Sequence, residues 1–190
     1  MLTIKKHVWL TSLLLGIVVA VILITPAQAR KSKDAIRIEK KVDVALNKLL
    51  RSNKDARILF KKAVAILVFP DILKAGFGYG AQVGDGVLID SNGKTAGFYN
   101  TFAASYGFQV GIQGFGYALF FMDNDSLSYL DKSKGFELGV GPSLVVANAG
   151  LGKTVSTSTL RKGIYAFIFD QKGLMGGAGI QGTKITKINP

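Results

Sequence analysis

AVAILVFPDILKAGFGYGAQVGDG, residues 63–86, decides the architecture. The run Val64 to Phe69 is apolar and of strand length, and Pro70 is expected to stop it. The chain then resumes as Ala75-Gly76-Phe77-Gly78-Tyr79-Gly80, in which glycine alternates with other residues. A period of two puts Phe77 and Tyr79 on one face of a strand and the glycines on the other. A face lined by glycine has no side chains to pack. It implies that another strand, a helix or a ligand comes close to that backbone. Asp85-Gly86 is expected to make a tight hairpin turn before Val87-Leu88-Ile89.

On the amino-terminal side of this stretch the chain is basic and helix-patterned. Within Asp34 to Arg51 the residues Ala35, Ile38, Val42, Ala45, Leu46 and Leu49 recur three and four apart, which is one stripe of an amphipathic helix. Lys33, Arg37, Lys40, Lys41, Lys48 and Arg51 fall off that stripe. Ser52-Asn53-Lys54-Asp55 reads as a break followed by a capping box that opens a shorter helix through Lys62. Two readings of the first helix compete. Either its apolar stripe meets acyl chains while its cations meet headgroups, or the stripe packs on the sheet and the basic face is solvated.

On the carboxyl-terminal side the texture is β-like, with 22 of the 23 glycines between Gly76 and Gly182. Turn signals stand at Asp85-Gly86, Ser91-Asn92-Gly93-Lys94 and Asp170-Gln171-Lys172-Gly173. They delimit expected strands at 76–83, 87–90, 95–101, 105–113, 115–122, 136–147, 164–169 and 174–183. Asn92-Gly93 between β-rich flanks is the clearest hairpin. Tyr117 to Met122 is continuously apolar and expected to be buried on both faces. A short helix is expected from Asp123-Asn124-Asp125-Ser126 to about Asp131, capped by Asn124 or Asp125. The fold class is therefore α+β, mainly β. One or two amphipathic helices pack on a small, curved, glycine-rich antiparallel barrel or sandwich.

At the chain start, Lys5, Lys6 and His7 precede an apolar run from Val8 to Ile24, and Ala27-Gln28-Ala29 has the small-x-small pattern of a signal-peptidase site. The expected organisation is a signal peptide over 1–29, cleaved after Ala29, a basic helical region over 30–62 and a glycine-rich β domain over 63–190. The last two form one domain. The competing reading is a retained anchor, since about 17 apolar residues is near the lower limit for a membrane span. The expected location is periplasmic or envelope-associated. The full chain carries a net charge of +12, and without Lys5 and Lys6 it has 22 basic residues against 12 acidic ones, or +10. For an exported chain this basic, phospholipid headgroups are a more natural partner than nucleic acid. The alternative is that the charge only aids solubility.

Residues 30–190 contain neither His nor Cys. Disulfides, Cys/His zinc sites, cysteine nucleophiles and Ser-His-Asp relays are thereby excluded. The carboxylates Asp85, Asp90, Asp123, Asp125, Asp131, Glu137 and Asp170 lie mostly at expected turns, with no spacing that argues for acid–base chemistry. No catalytic residue, metal ligand or cofactor is assigned. Ala147-Asn148-Ala149-Gly150-Leu151-Gly152-Lys153-Thr154 ends like a phosphate-binding loop but starts with alanine where the motif needs glycine, and no helix-forming sequence follows. It reads as a surface loop, with no nucleotide. Gly111-Ile112-Gln113-Gly114-Phe115-Gly116 has no βαβ pattern around it. Asp123-Asn124-Asp125 with Asp131 lacks the central glycine and closing glutamate of a calcium loop, and helix capping explains it better.

Several segments together resemble the SYLF family. They are Phe60-Lys61-Lys62-Ala63, Ile66-Leu67-Val68-Phe69-Pro70, Lys74-Ala75-Gly76-Phe77-Gly78, Gly84-Asp85-Gly86-Val87 and Gly107 through Gln113. The series continues with the apolar run to Met122, Gly150-Leu151-Gly152-Lys153, Lys172 through Gly177, and Gly182. The resemblance covers most of residues 36–184. It departs from the family at 94–100, where many members carry a tryptophan and a proline and this chain has Phe98-Tyr99-Asn100. The resemblance implies a non-enzymatic module that binds phospholipid through its basic amphipathic region, with actin binding in yeast members. That region falls here on Lys33, Arg37, Lys40, Lys41, Lys48 and Arg51. The expected function is binding of anionic phospholipid by an exported, envelope-associated protein. The alternative is a structural or protein-interaction module of the envelope with a protein partner there. A carboxylate hydrolase would need two acids converging on one pocket.

Overall fold

The computed structural model describes residues 31–132, 136–137, 144–146 and 163–190. The expectations for the leader segment, the phosphate-loop look-alike and most of 136–147 lie outside these residues. Ser32–Pro190 forms one compact unit, separate from Met1–Lys31, and holds both hydrophobic clusters of the described residues.

Helix α1 spans Lys33–Ser52 and α2 spans Lys54–Phe60. The Ser32 hydroxyl caps α1 by accepting from the Ala35 amide at 3.0 Å. Asn53 serves both helices. Its amide N–H donates to the Leu49 carbonyl, and its side chain accepts from the Ala56 amide at 2.9 Å. Arg57 reaches back from α2 to the last carbonyls of α1, donating to Leu50 at 2.7 Å and Arg51 at 3.0 Å. All six residues of the expected stripe are buried.

The β structure is made of three very long strands. Strand β1 covers Ala65–Asp90 and β2 covers Thr95–Phe121. Helix α3 (Asn124–Lys132) follows, then short β3 (Phe136–Glu137) and β4 (Leu144–Val146), and finally β5 (Ile164–Ile188). β1, β2 and β5 pair antiparallel in that order; β3 joins β5 antiparallel near Ile185, while β4 joins it in parallel at 164–166. Among the described residues the sheet is not closed, so of the two forms expected the curved sandwich fits and a closed barrel does not.

Three expected breaks turn out to lie inside strands. Pro70 does not end a strand. β1 is an edge strand, and Pro70 and Asp71 form a bulge at which the register jumps from Phe69–Tyr117 to Ile72–Phe115. Asp170–Gly173 likewise lies within β5: Asp170 and Gln171 form a bulge opposite β2 between Gly114 and Gly116, and φ is positive at Asp170 (54°) and Gly173 (82°). Asp85-Gly86 is not a turn. β1 runs straight through it in register with Asn100 and Tyr99. The hairpin at Asn92-Gly93 stands as expected, with Gly93 at φ 76° and the Asp90 carboxylate accepting from the Asn92 and Lys94 amides at 2.9 and 2.8 Å. Those bonds, the Lys94 one foremost, hold the Asp90 carboxyl below its usual range.

The glycines near the bend explain the shape. The long ribbon folds back on itself, and its glycine side is the inside of the fold. A Cβ on Gly76 would lie 3.0 Å from the Gly80 Cα, and one on Gly84 would lie 2.9 Å from the Asp71 carbonyl. A Cβ on Gly86 would meet the Val68 carbonyl at 2.5 Å and the Phe69 ring at 2.6 Å. The element that approaches the glycine face is thus the other half of the same strand. The two halves enclose one core of Leu67, Phe69, Ile72, Leu88, Tyr99, Leu119, Phe121, Ile164 and Ile185, with Leu130 of α3 against it. Burial pushes the Tyr117 phenol of this core up. A second core lies on the outer side of the ribbon's ends. There α1 and α2 lay Ile38, Val42, Leu46, Leu49 and Leu59 on Ile66, Val68, Val87, Phe120 and Phe167. Phe120 and Phe167 meet edge to face, with centroids 5.2 Å apart. The run from Tyr117 to Phe121 therefore feeds both cores by alternation, as its sequence implies. α3 is capped by Asp123 rather than by Asn124 or Asp125. Its carboxylate accepts from the Ser126 amide at 2.8 Å and also from the Gly163 amide at 2.8 Å.

Candidate lipid-facing surface

The six expected site residues all project from α1 and are exposed, and a helix of this length spans about 30 Å. The structure divides them into two groups. Lys41 Nζ lies 2.7 Å from an Asp71 carboxylate oxygen, and Lys48 Nζ lies 2.7 Å from one of Asp170. These carboxylates sit at the two bulges, so the pairs fix α1 across the strands at bulge level. Arg37 pairs with Asp34 one turn back at 2.9 Å. Exposed pairs of this kind are each worth only about 0–1 kcal/mol, and their main effect here is to position the helix. Lys33, Lys40 and Arg51 form the second group. At 100° per residue they fall on one line facing directly away from the buried stripe. Val44 (65% exposed) lies on the same line. The apolar stripe itself is consumed by the core, so acyl chains have no access to it in this fold.

Five of the described carboxylates serve structure. Asp90 holds the hairpin, Asp123 caps α3, Asp85 accepts from the Asn100 side chain at 2.8 Å, and Asp71 and Asp170 anchor α1. Gly111–Gly116 lies within β2, paired with β1 and β5 on either side of their bulges, and offers no helix end to a phosphate.

A second surface was not singled out from the sequence. Between the two helix-covered ends, no other described element covers the outer face of the ribbon, and its middle is apolar. Its rows across β1, β2 and β5 run Leu73–Gly114–Lys172, Ala75–Ile112–Leu174, Phe77–Val110–Gly176, Tyr79–Tyr106, Ala81–Ala104–Gly182 and Val83–Phe102–Lys184. Phe77 is 84% exposed, Tyr79 73% and Leu174 89%. Tyr79 and Tyr106 pack together at the crest of the bend, with ring centroids 4.9 Å apart. Alternation in the sequence did place Phe77 and Tyr79 on one face. Only the direction of the bend shows that this face is the outside.

Residues 102–189, from within β2 to the end of β5, match the family model described as Ysc84, a Las17-binding protein actin regulator. The match includes β5 with its bulge and most of β2, and α1 precedes it. No curated protein matches the chain.

Proposed function

We propose that this chain is a non-enzymatic member of the SYLF family that binds anionic phospholipid at the cell envelope, a reading supported by the match of residues 102–189 to the Ysc84 family model. The observation that carries this reading is the line of exposed cations on α1, Lys33, Lys40 and Arg51, with Lys41 and Lys48 beside it at the helix–sheet border. A cation near an anionic leaflet contributes about 1 kcal/mol. Three on one line are enough to distinguish charged from neutral membranes by about two orders of magnitude. The +10 balance of residues 30–190 favours the same class of partner. Export through the leader at 1–29 would bring the protein to the envelope, where such headgroups are available.

The test is co-sedimentation of the Ser32–Pro190 unit with vesicles of phosphatidylcholine, alone or mixed with phosphatidylglycerol. Binding is expected only to the mixed vesicles. Lys33→Glu/Lys40→Glu/Arg51→Glu should weaken it more than about tenfold and leave the melting curve in place, because none of these side chains joins the core. Equal binding by the triple variant would refute the assignment of α1. The Lys41 and Lys48 pairs are left intact so that the helix stays docked.

A further inference from the structure

We propose that the bare outer face of the bent ribbon is a membrane-inserting surface, and that its occupant is the interfacial layer of an anionic bilayer. This rests on the lipid-binding reading but assigns the apolar contact to the sheet instead of the helix.

From the Ala75–Ile112–Leu174 row to the Ala81–Ala104–Gly182 row, across the register shift between Phe77 and Tyr79, no charged residue occurs. Large apolar side chains stand well exposed on both sides of the crest, with Phe77, Tyr79 and Tyr106 near its top and Val83, Phe102, Val110, Ile112 and Leu174 around them. A contiguous apolar patch of this kind on a water-facing surface marks an interaction site. The same outer face is covered by α1 and α2 at both ends of the ribbon, at Val68 and at Val87. The uncovered middle is therefore a continuation of a face built to be covered.

The charges around the patch identify the cover. Lys172 ends the first row and Lys184 ends the sixth, and both are exposed. Beyond the first row lies α1, with Lys41 and Lys48 already compensating Asp71 and Asp170. Asp85, in the row beyond Val83, is hydrogen-bonded by Asn100. An apolar, tyrosine-bearing crest with lysines at its borders suits a surface that is apolar within and anionic at headgroup level. A second copy of this chain suits it less, because face-to-face pairing would bring basic borders together in a protein of net charge +12. The crest is convex, and a convex apolar face can enter a fluid interface without a complementary groove.

Residues 32–190 contain no tryptophan, since the single one of the chain is Trp9, so Phe77→Trp gives a one-site reporter at an 84% exposed position. The experiment titrates the Phe77→Trp form of Ser32–Pro190 with phosphatidylcholine/phosphatidylglycerol vesicles. It follows emission wavelength, quenching by lipids brominated on the acyl chain, and co-sedimentation. The expected result is a blue shift and acyl-chain quenching on binding. Adding Ile112→Ser/Leu174→Ser should weaken binding about tenfold or more without changing the melting curve. Intact binding with water-like emission and no quenching would overturn insertion while leaving the headgroup reading in place. Absence of binding to anionic vesicles would overturn both. A blue shift without lipid that grows with protein concentration, together with a dimer in sedimentation equilibrium, would assign the face to a second copy and overturn the proposal.

Discussion

Thr101 is the buried residue with an unmet need. It lies in β2 between Gly84 and Ile185, 1% exposed, and its hydroxyl has no hydrogen-bond partner among the described residues. A hydroxyl removed from water without compensation lowers stability. Valine keeps the β-branched shape and suits the strand equally well. Thr101→Val is therefore expected to stabilise the Ser32–Pro190 unit by about 1 kcal/mol in urea unfolding. A loss of similar size would show that the hydroxyl is bonded after all.

At the scale of elements, the fold depends on how sharply one ribbon can double back. Bulges at Pro70-Asp71 and at Asp170-Gln171 adjust the strand faces, and the β1–β2 register shifts again between Phe77 and Tyr79 and between Leu88 and Ile89. Glycine then allows the two halves of β1 to touch. Gly86→Ala would drive a methyl group into the Val68 carbonyl and the Phe69 ring, neither of which has room to withdraw from a filled core. The expected cost is about 1–3 kcal/mol, read as a lower urea midpoint at unchanged slope. Wild-type stability in this variant would mean that the halves of β1 do not press together as described. The helices are fixed by different means: a shared cap at Asn53, buried aliphatic contacts, and two lysines that span to the bulge carboxylates.

For the molecule as a whole, charge and apolar surface make separable contributions to membrane binding. Salt shortens the Debye length from about 10 Å at 0.1 M to about 3 Å at 1 M and so weakens the contact made by α1. Insertion of the ribbon crest is not screened in this way. Affinity of the Ser32–Pro190 unit for anionic vesicles is thus expected to fall with salt toward a residual level instead of to zero. Ile112→Ser/Leu174→Ser should remove that residual. Complete loss of binding in the unsubstituted protein at 1 M salt would mean that headgroup charge alone holds it to the surface.

Much of this was legible in the sequence because it depends on periodicity and local chemistry. The stripe from Ala35 to Leu49, the double-sided burial of Tyr117 to Phe121, the Asn92-Gly93 hairpin and the α+β class each follow from side-chain spacing or from a turn residue's backbone freedom. The candidate cations were legible for the same reason, as the polar side of a helix. Their division into docked and outward groups was not, since Asp71 and Asp170 are 30 and 122 residues from their partner lysines. Pro70, Asp85-Gly86 and Asp170–Gly173 carry turn chemistry, yet tertiary structure uses the first and last as bulges and the second as a point of close contact. Alternation fixed that Phe77 and Tyr79 share a face. Which face lies inside was decided only when the ribbon bent toward its glycines, because that side alone is thin enough to be folded upon itself.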